Sequence, residues 1–391
     1  MQTHTAERFR PFGTTIFAEM SRLALEHNAV NLSQGFPDFD GPDFVKLAAV
    51  DAINAGHNQY ARSPGVPPLA EAISNRFTER TGLSVDALAQ ITVTSGCTEA
   101  IAAALLGTVN PGDEVILFEP FYDSYRACIA MAGATPRFVS MKPNNGRFIF
   151  EEPELATAFS EKTTAILLNT PHNPTGTVLT RAELQSIADL CIKHDAIALS
   201  DEVYEDLTYD HEHISIASLP GMADRTITLS SLGKSFSLTG WKVGWAIASP
   251  ELSAAVRSAH QFITFSTATP FQYAAATALT EGDAYTTELR EQYRTARDTL
   301  AEGLTGVGFD VSIPEGTYFI LAEHSNVSSK LGVSTDVELS LKLTSEFGVA
   351  AIPPSVFCAT PGLCANYLRF AFCKQQSTLE EAISRLSKIN G

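Results

Sequence analysis

Along the chain, short and largely apolar runs alternate with longer stretches in which apolar residues recur every three or four positions. Ile91–Thr94, Val115–Phe118, Ala165–Leu168, Ile197–Ser200 and Thr226–Leu229 are of the first kind and predict buried strands. Thr98–Leu106, Tyr122–Ala132 and Arg181–His194 are of the second kind and predict helices between them. This alternation predicts βαβ units, and so an α/β fold whose large, mostly parallel sheet is covered by helices on both faces. Beyond Pro250 the pattern changes. Helical segments at Glu251–Gln261, Pro270–Thr280 and Ala284–Thr305 lead into short strands near Phe309–Ile313, Tyr318–Ala322 and Leu368–Phe372. Ser377-Thr378-Leu379-Glu380 has capping-box spacing and predicts a final helix after Ser377. This last third reads as a smaller α+β region.

Composition narrows the class without naming a chemistry. The chain has 391 residues, of which 45% are apolar and 18% charged, values of a globular protein. Its 27 Lys and Arg against 44 Asp and Glu give a net charge of −17, which argues against nucleic acid as a partner. Met1 to Arg10 is polar and has no apolar core of a signal peptide, and no run approaches membrane-spanning length. No membrane partner is expected. The six cysteines lack CxxC or metal-type spacing, which predicts free thiols, no metal site and a cytoplasmic protein.

Ligands of open parallel sheets bind beyond the carboxyl ends of the strands, so the residues following each predicted strand carry the chemistry. Ile91–Thr94 leads to Ser95-Gly96-Cys97-Thr98-Glu99, a small-residue turn opening a helix, and Val115–Phe118 leads to Glu119-Pro120-Phe121-Tyr122. The next two strands lead to Asn169-Thr170-Pro171-His172-Asn173-Pro174-Thr175-Gly176 and to Asp201-Glu202-Val203-Tyr204. The last leads to Ser230-Ser231-Leu232-Gly233-Lys234-Ser235. Singly, each has a plain structural reading: a tight turn at Gly96, a core aromatic at Tyr122, turn chemistry at Asn173-Pro174. Jointly they offer an anion-binding turn, an aromatic, an amide, a carboxylate with a phenol, and a lysine. Pyridoxal phosphate uses all of these, because it needs a lysine for its Schiff base, an acid at its ring nitrogen and donors for its phosphate.

A nucleotide-hydrolysing P-loop is the competing reading of Gly233-Lys234-Ser235. The first glycine of that motif would fall on Thr228, and the acidic Asp201-Glu202 pair precedes the lysine instead of following it. His211-Glu212-His213 lacks metalloprotease spacing and is expected to lie on a solvated loop.

At these residues the chain resembles the class I aminotransferases of pyridoxal-phosphate fold type I. The resemblance is strongest to the kynurenine aminotransferase/glutamine transaminase K branch and to bacterial methionine aminotransferases. It is carried by Asn31-Leu32-Ser33-Gln34-Gly35-Phe36-Pro37-Asp38-Phe39, Asn58-Gln59-Tyr60 and Pro171-His172-Asn173-Pro174-Thr175-Gly176. Ser200-Asp201-Glu202-Val203-Tyr204, Gly233-Lys234-Ser235-Phe236, Thr239-Gly240-Trp241-Lys242-Val243-Gly244-Trp245 and Leu368-Arg369-Phe370 extend it. The resemblance implies a large cofactor domain over residues 46–284 and a small domain built from residues 1–45 and 285–391. It implies Lys234 as the Schiff-base lysine and proton shuttle, Asp201 at the ring nitrogen, and Asn173 and Tyr204 at the ring hydroxyl. Tyr122 would stack on the ring, while Gly96, Cys97, Ser231 and Lys242 would hold the phosphate. Tyr60 would reach the neighbouring active site of a homodimer. Arg369 would grip the substrate carboxylate, helped by Gly35 and Asn173.

The implied reaction moves an amino group from an amino acid to a 2-oxo acid by a ping-pong route. Relatives specific for aspartate use an extra arginine, and none stands in Phe262–Thr269, the expected pocket segment, where Phe262 and Phe265 offer aromatic surface. With Phe17, these residues predict apolar, aromatic or sulfur-containing donors such as Met, Phe, kynurenine or Gln. N-succinyl-diaminopimelate transamination and cysteine-conjugate β-lysis on the same fold are the alternatives. The first calls for a cation that this segment does not supply.

Overall fold

The short apolar runs become strands of one seven-stranded sheet in the computed structural model, which describes residues 4–13 and 15–391. Residues 1–3 and 14, part of the segment assigned above to the small domain, lie outside the described residues. In chain order the strands are β1 (Ile91–Ser95), β2 (Glu114–Glu119), β3 (Thr135–Ser140), β4 (Thr163–Asn169), β5 (Ile197–Asp201), β6 (Thr226–Ser231) and β7 (Val243–Ile247). Their spatial order is β1-β7-β6-β5-β4-β2-β3. β7 runs antiparallel to both neighbours and the remaining pairs are parallel, so six strands point the same way. The expected strands lack β3 and β7. β3 is a sheet edge with exposed and half-buried positions, so it has no unbroken apolar run to betray it.

Alternation along each strand decides which helical layer a residue meets. Ala165 and Leu167 of β4 face one layer with Leu117, Leu199 and Ile227, against helix α1 (Gly96–Thr108). Ile166 and Leu168 face the other with Ile116, Phe118 and Ala198, against Leu184, Ile187 and Cys191 of helix Arg181–His194. α1 is enclosed over Ala100–Leu105 and lies beside α2 (Pro250–Ile263). The two helices approach so closely that a Cβ on Gly107 would stand 2.2 Å from the Ala255 carbonyl oxygen.

Register then aligns the motifs. Asn169 pairs with Asp201, Ser231 with Gly244 and Ser95 with Val243, which sets four chemically useful strand ends along one rim.

The C-terminal third forms a three-stranded antiparallel sheet of β8 (Asp310–Val311), β9 (Phe319–Glu323) and β10 (Tyr367–Ala371), in that order. Helix α3 (Asp283–Val307) buries Leu289, Tyr293, Ala296, Leu300 and Leu304 in the same core, at the spacing of one helix face. The N-terminal segment joins this region, since Val30–Asn31 pairs in parallel with Val349–Ala350. Helix Ile16–Glu26 buries Met20 and Ala24 beside Ala350, Ile352 and Phe357.

The last helix corrects a local expectation. It spans Gln376–Leu386, so Ser377 lies inside its first turn, and no side-chain cap forms at Gln375. Asp38 holds this end instead: its Oδ1 accepts from the Gln375 N–H at 2.7 Å and its Oδ2 from the Thr378 hydroxyl at 2.6 Å. A carboxylate more than three hundred residues away replaces the expected capping box. Among the described residues, no helix is long and apolar enough to cross a membrane.

Candidate active site

A cavity of about 400 Å³ opens between the rim of the large sheet and the three-stranded sheet, a size suited to a small molecule. Of the residues singled out by sequence, it is lined by Gly35, Gly96, Cys97, Tyr122, Asn173, Asp201, Tyr204, Ser231, Lys234, Lys242, Arg369 and Phe17. They arrive from both ends of the chain.

Asp201 sits at the end of β5, buried, and its carboxylate is held on both oxygens. Oδ2 accepts from the Tyr125 hydroxyl at 2.6 Å, while Oδ1 accepts from the Val203 N–H at 3.2 Å and the Cys97 thiol at 3.6 Å. Burial pushes the Asp201 pKa up, and these donors with Lys234 work against that rise. The Asn169 amide donates to the Asp201 carbonyl at 2.8 Å, and its oxygen accepts from the Asn173 N–H at 2.7 Å, so adjacent strand ends brace one another. Lys234 is half-buried, and desolvation drives its pKa down, with Cys373 and Asp201 opposing. Its Nζ lies 5.8 Å from the Tyr204 ring centroid and 5.6 Å from that of Tyr318, two rings that meet edge to face. A lysine whose pKa is drawn down in this way is suited to accepting and returning protons.

The Ser95–Cys97 turn opens α1, whose first N–H groups have no acceptor within the helix. Gly96 has a φ of +75°, a left-handed conformation that glycine adopts freely. Gly244 backs the turn so tightly that a Cβ there would lie 2.6 Å from the Cys97 nitrogen. Lys242 comes from the other side, its Nζ 3.3 Å from where a Gly96 Cβ would stand. Free N–H groups, a helix N-terminus and a lysine make an anion cradle.

Arg369, on β10, is only 1% exposed. Its Nη1 donates to the Asn173 side-chain oxygen at 3.1 Å and its Nη2 to the Ser33 carbonyl at 2.9 Å, while its buried Nε has no hydrogen-bond partner. The guanidinium lies 4.0 Å from the Phe319 ring centroid and 5.3 and 5.4 Å from those of Phe17 and Phe357. Burial lowers its pKa to about 10. A guanidinium caged by aromatics with an unused donor is poised for a carboxylate.

Tyr60, expected to reach a neighbouring active site, and Phe265, expected as a substrate-pocket residue, are not among the residues lining this cavity. Tyr60 is 86% exposed, and the Phe265 ring meets it edge to face at 5.6 Å between centroids, so Phe265 stands outside the cavity of its own chain. The loop following α2 carries it outward. His213 also departs from expectation: it is largely buried, with Nε2 2.8 Å from the Glu202 carboxylate. Glu202 gathers His213 with the Ser200 and Ser215 hydroxyls, a buried network that drew the loop inward. Sequence reasoning overlooked Tyr125, Phe319 and Phe357. The signal for Tyr125 was its place three residues after Tyr122; the two phenylalanines gave none.

The residues present fit pyridoxal phosphate: a half-buried lysine, a buried carboxylate with donors already on it, an anion cradle and an arginine with a spare donor share one cavity. Comparison with known proteins agrees. Residues 27–386 match the family described as aminotransferase class I and II. The chain is 47% identical to a protein named probable N-succinyldiaminopimelate aminotransferase of Mycobacterium tuberculosis, over 98% of both chains. It is 42% identical to a kynurenine–oxoglutarate transaminase of Dictyostelium discoideum, over 97% of this chain and 94% of that one. It is also 42% identical to a methionine aminotransferase of Escherichia coli, over 96% of each. The solved structure of the Mycobacterium tuberculosis N-succinyldiaminopimelate aminotransferase superposes with a TM-score of 0.96 at 46% identity, covering 98% of this chain and all of that one. The architecture is that of fold type I pyridoxal-phosphate enzymes. The chain belongs to the class I and II aminotransferases, and is a pyridoxal-phosphate-dependent transaminase acting on amino acids and 2-oxo acids.

Proposed function

We propose that the enzyme takes the amino group from an apolar, aromatic or sulfur-containing amino acid, of the Met, Phe, kynurenine or Gln type. The observation that carries this reading is the aromatic cage of Phe17, Phe319 and Phe357 around Arg369. Among the described residues, the only other cations lining the cavity are Lys234 and Lys242, which are at the cofactor end. A second carboxylate on the substrate would therefore lose its hydration without gaining a partner.

When bound, pyridoxal phosphate supplies the carbonyl that accepts the amino group and a ring that draws electrons from the substrate's Cα. The residues supply the rest. Asp201 would hold a proton at the ring nitrogen, Tyr204 and Asn173 would donate to the ring hydroxyl oxygen, and Tyr122 would pack on the ring. The Gly96 and Cys97 amides, Ser231 and Lys242 would hold the phosphate. Lys234 Nζ takes the Cα proton and gives it back on the other side of the reaction. Arg369 fixes the substrate carboxylate in two bonds, with Gly35 and Asn173 beside it, and its aromatic cage keeps water from the reacting carbon.

The same reading divides the chain into a large domain, 46–284, and a small one from 1–45 and 285–391. The pairing of Val30–Asn31 with Val349–Ala350 supports this division. A homodimer is the functional unit. Leu47, Val50 and Ile53 expose one face of helix Asp43–Asn54, and Tyr60, Phe262 and Phe265 are exposed as well, apolar surface of the kind a partner subunit covers. The free cysteines support a reducing compartment such as the cytoplasm.

The 47% identity to the probable N-succinyldiaminopimelate aminotransferase favours a second reading, in which that acylated amino acid is the donor. One panel decides. The loaded enzyme is mixed with a single donor, without oxo acid, and the loss of visible cofactor absorbance is timed. Met and Phe reacting at least roughly tenfold faster than Asp and N-succinyl-diaminopimelate is the expected result, the size a neutral pocket earns against an unpaired charge. N-succinyl-diaminopimelate reacting fastest establishes the second reading, and fast reaction with Asp refutes both.

A further inference from the structure

A buried ion pair stands behind the anion turn. His260 on α2 is fully enclosed, with Nδ1 2.7 Å from Glu99 Oε1 and Nε2 2.9 Å from the Ser63 carbonyl oxygen. With Glu99 ionised, both partners accept, so both ring nitrogens donate and the ring carries a positive charge. Burial alone would depress its pKa, yet the bond to Glu99 and the charge of that carboxylate carry it above the ordinary histidine value.

Glu99 is the fourth residue of α1, and its other oxygen, Oε2, accepts from the N–H of Ser95, the residue preceding the helix. That bond pins the turn from behind and leaves the N–H groups of Gly96 and Cys97 for a ligand. It also places a negative charge in the first turn of a helix whose positive end has to attract an anion. Glu99 by itself would hold the turn and repel what the turn binds.

We propose that His260 is a positioning residue for the cofactor phosphate: its imidazolium cancels the charge of Glu99, so that the carboxylate orders the Ser95–Cys97 turn without opposing the anion. The proposal rests on the reading of that turn as the phosphate site. Other charges nearby have other partners or positions. Arg257, one turn earlier on α2, is engaged by the Thr92 hydroxyl and the Leu88 and Ile91 carbonyls. Arg62 adjoins Ser63 and lies near Arg257, and Lys242 faces the turn from the cavity side. Among the described residues, Glu99 forms an ion pair with His260 alone.

The test compares the affinity of the full chain, freed of cofactor, for pyridoxal phosphate and for pyridoxal, which lacks the phosphate. Their ratio isolates the turn from the chemistry at Lys234. His260→Gln should weaken pyridoxal phosphate binding roughly tenfold and leave pyridoxal within about twofold, the scale of a charge at a helix end. Glu99→Gln/His260→Gln, which removes both charges and keeps hydrogen-bonding side chains, should recover the ratio to within about threefold of the unmodified protein. In the unmodified protein the ratio should fall as the pH rises past the raised pKa of His260, which loses its proton while the phosphate stays doubly charged. In the double variant it should stay level, and a fall that persists there assigns the titration to a group other than His260 and overturns the proposal. So does a His260→Gln protein with an unchanged ratio, or a double variant no better than the single one. Should His260→Gln not fold, the pH series of the unmodified protein decides alone, a constant ratio being refutation. Equal affinity for the two compounds in the unmodified protein is a distinct failure, that of the phosphate-site reading itself.

Discussion

At one end of the cavity, Asn169, Asp201, Ser231 and the Ser95–Cys97 turn stand on the ends of neighbouring strands of a single sheet. At the other end, Arg369 and Phe319 come from a second sheet, Phe17 from the N-terminal helix and Phe357 from the segment between Val349–Ala350 and β10. The first end is placed by hydrogen-bond register, which a substitution in a loop cannot shift. The second is assembled from segments far apart in sequence, joined by strand pairing at Arg369 and Phe319, by the hydrogen bonds of Arg369 and by aromatic packing. On the proposed reading, reaction type belongs to the first end and substrate choice to the assembled one, which is where a family can vary its donors without rebuilding its chemistry.

The largest effect that would test this division is at the first end. Lys234→Ala should cut turnover on the order of ten-thousand-fold, the upper range for a positioned proton carrier. Every donor should suffer alike, because the lost step is common to all. Rapid-mixing absorbance of the half-reaction measures it; a variant that lost one donor and kept another would break the comparison at its strongest point.

Arg369→Lys comes next. A lysine keeps the charge and loses the planar fork, so kcat/KM should fall roughly a hundredfold, mostly through KM, as expected for weakening a buried, charge-assisted pair. The cofactor's absorbance in the absence of substrate should not change. If kcat collapsed while KM held, Arg369 would belong functionally with the first end.

The same contrast explains what the sequence could disclose. Buried parallel strands read as apolar runs, and ligand chemistry follows their carboxyl ends, so Asp201, Asn173 and Lys234 stood out once the strands were located. Their functional grouping was legible because register is a periodic property. Phe319 and Phe357 were hidden, since nothing local distinguishes a phenylalanine over a guanidinium from one in a core. The antiparallel β7 escaped because Val243–Ile247 contains a glycine whose reason is tertiary, the close approach of the turn behind Gly96. Asp38 at the end of the last helix and His260 beneath α1 act across long separations and had no local signature. His213 was misjudged for a related reason: polar neighbours suggested solvent, whereas Glu202 supplied a buried partner.

The smallest effect concerns Phe265, which packs on exposed Tyr60 outside its own chain's cavity. If both rings complete the partner's substrate end, Phe265→Ala should change the preference between Phe and Met donors by roughly tenfold or less, the value of part of an aromatic side chain's burial. It should leave turnover with a saturating small donor unchanged. Which subunit Phe265 serves follows from mixing Phe265→Ala chains with Lys234→Ala chains. In a mixed dimer, the site using the Lys234 of the first chain would receive the Phe265 of the second, so one site of each mixed dimer would be whole if Phe265 acts across the interface. Donor preference should then move toward that of the unmodified enzyme as an excess of Lys234→Ala chains draws the Phe265→Ala chains into mixed dimers. If Phe265 acts within its own chain, every active site in the mixture carries the alanine, and the altered preference persists at any mixing ratio.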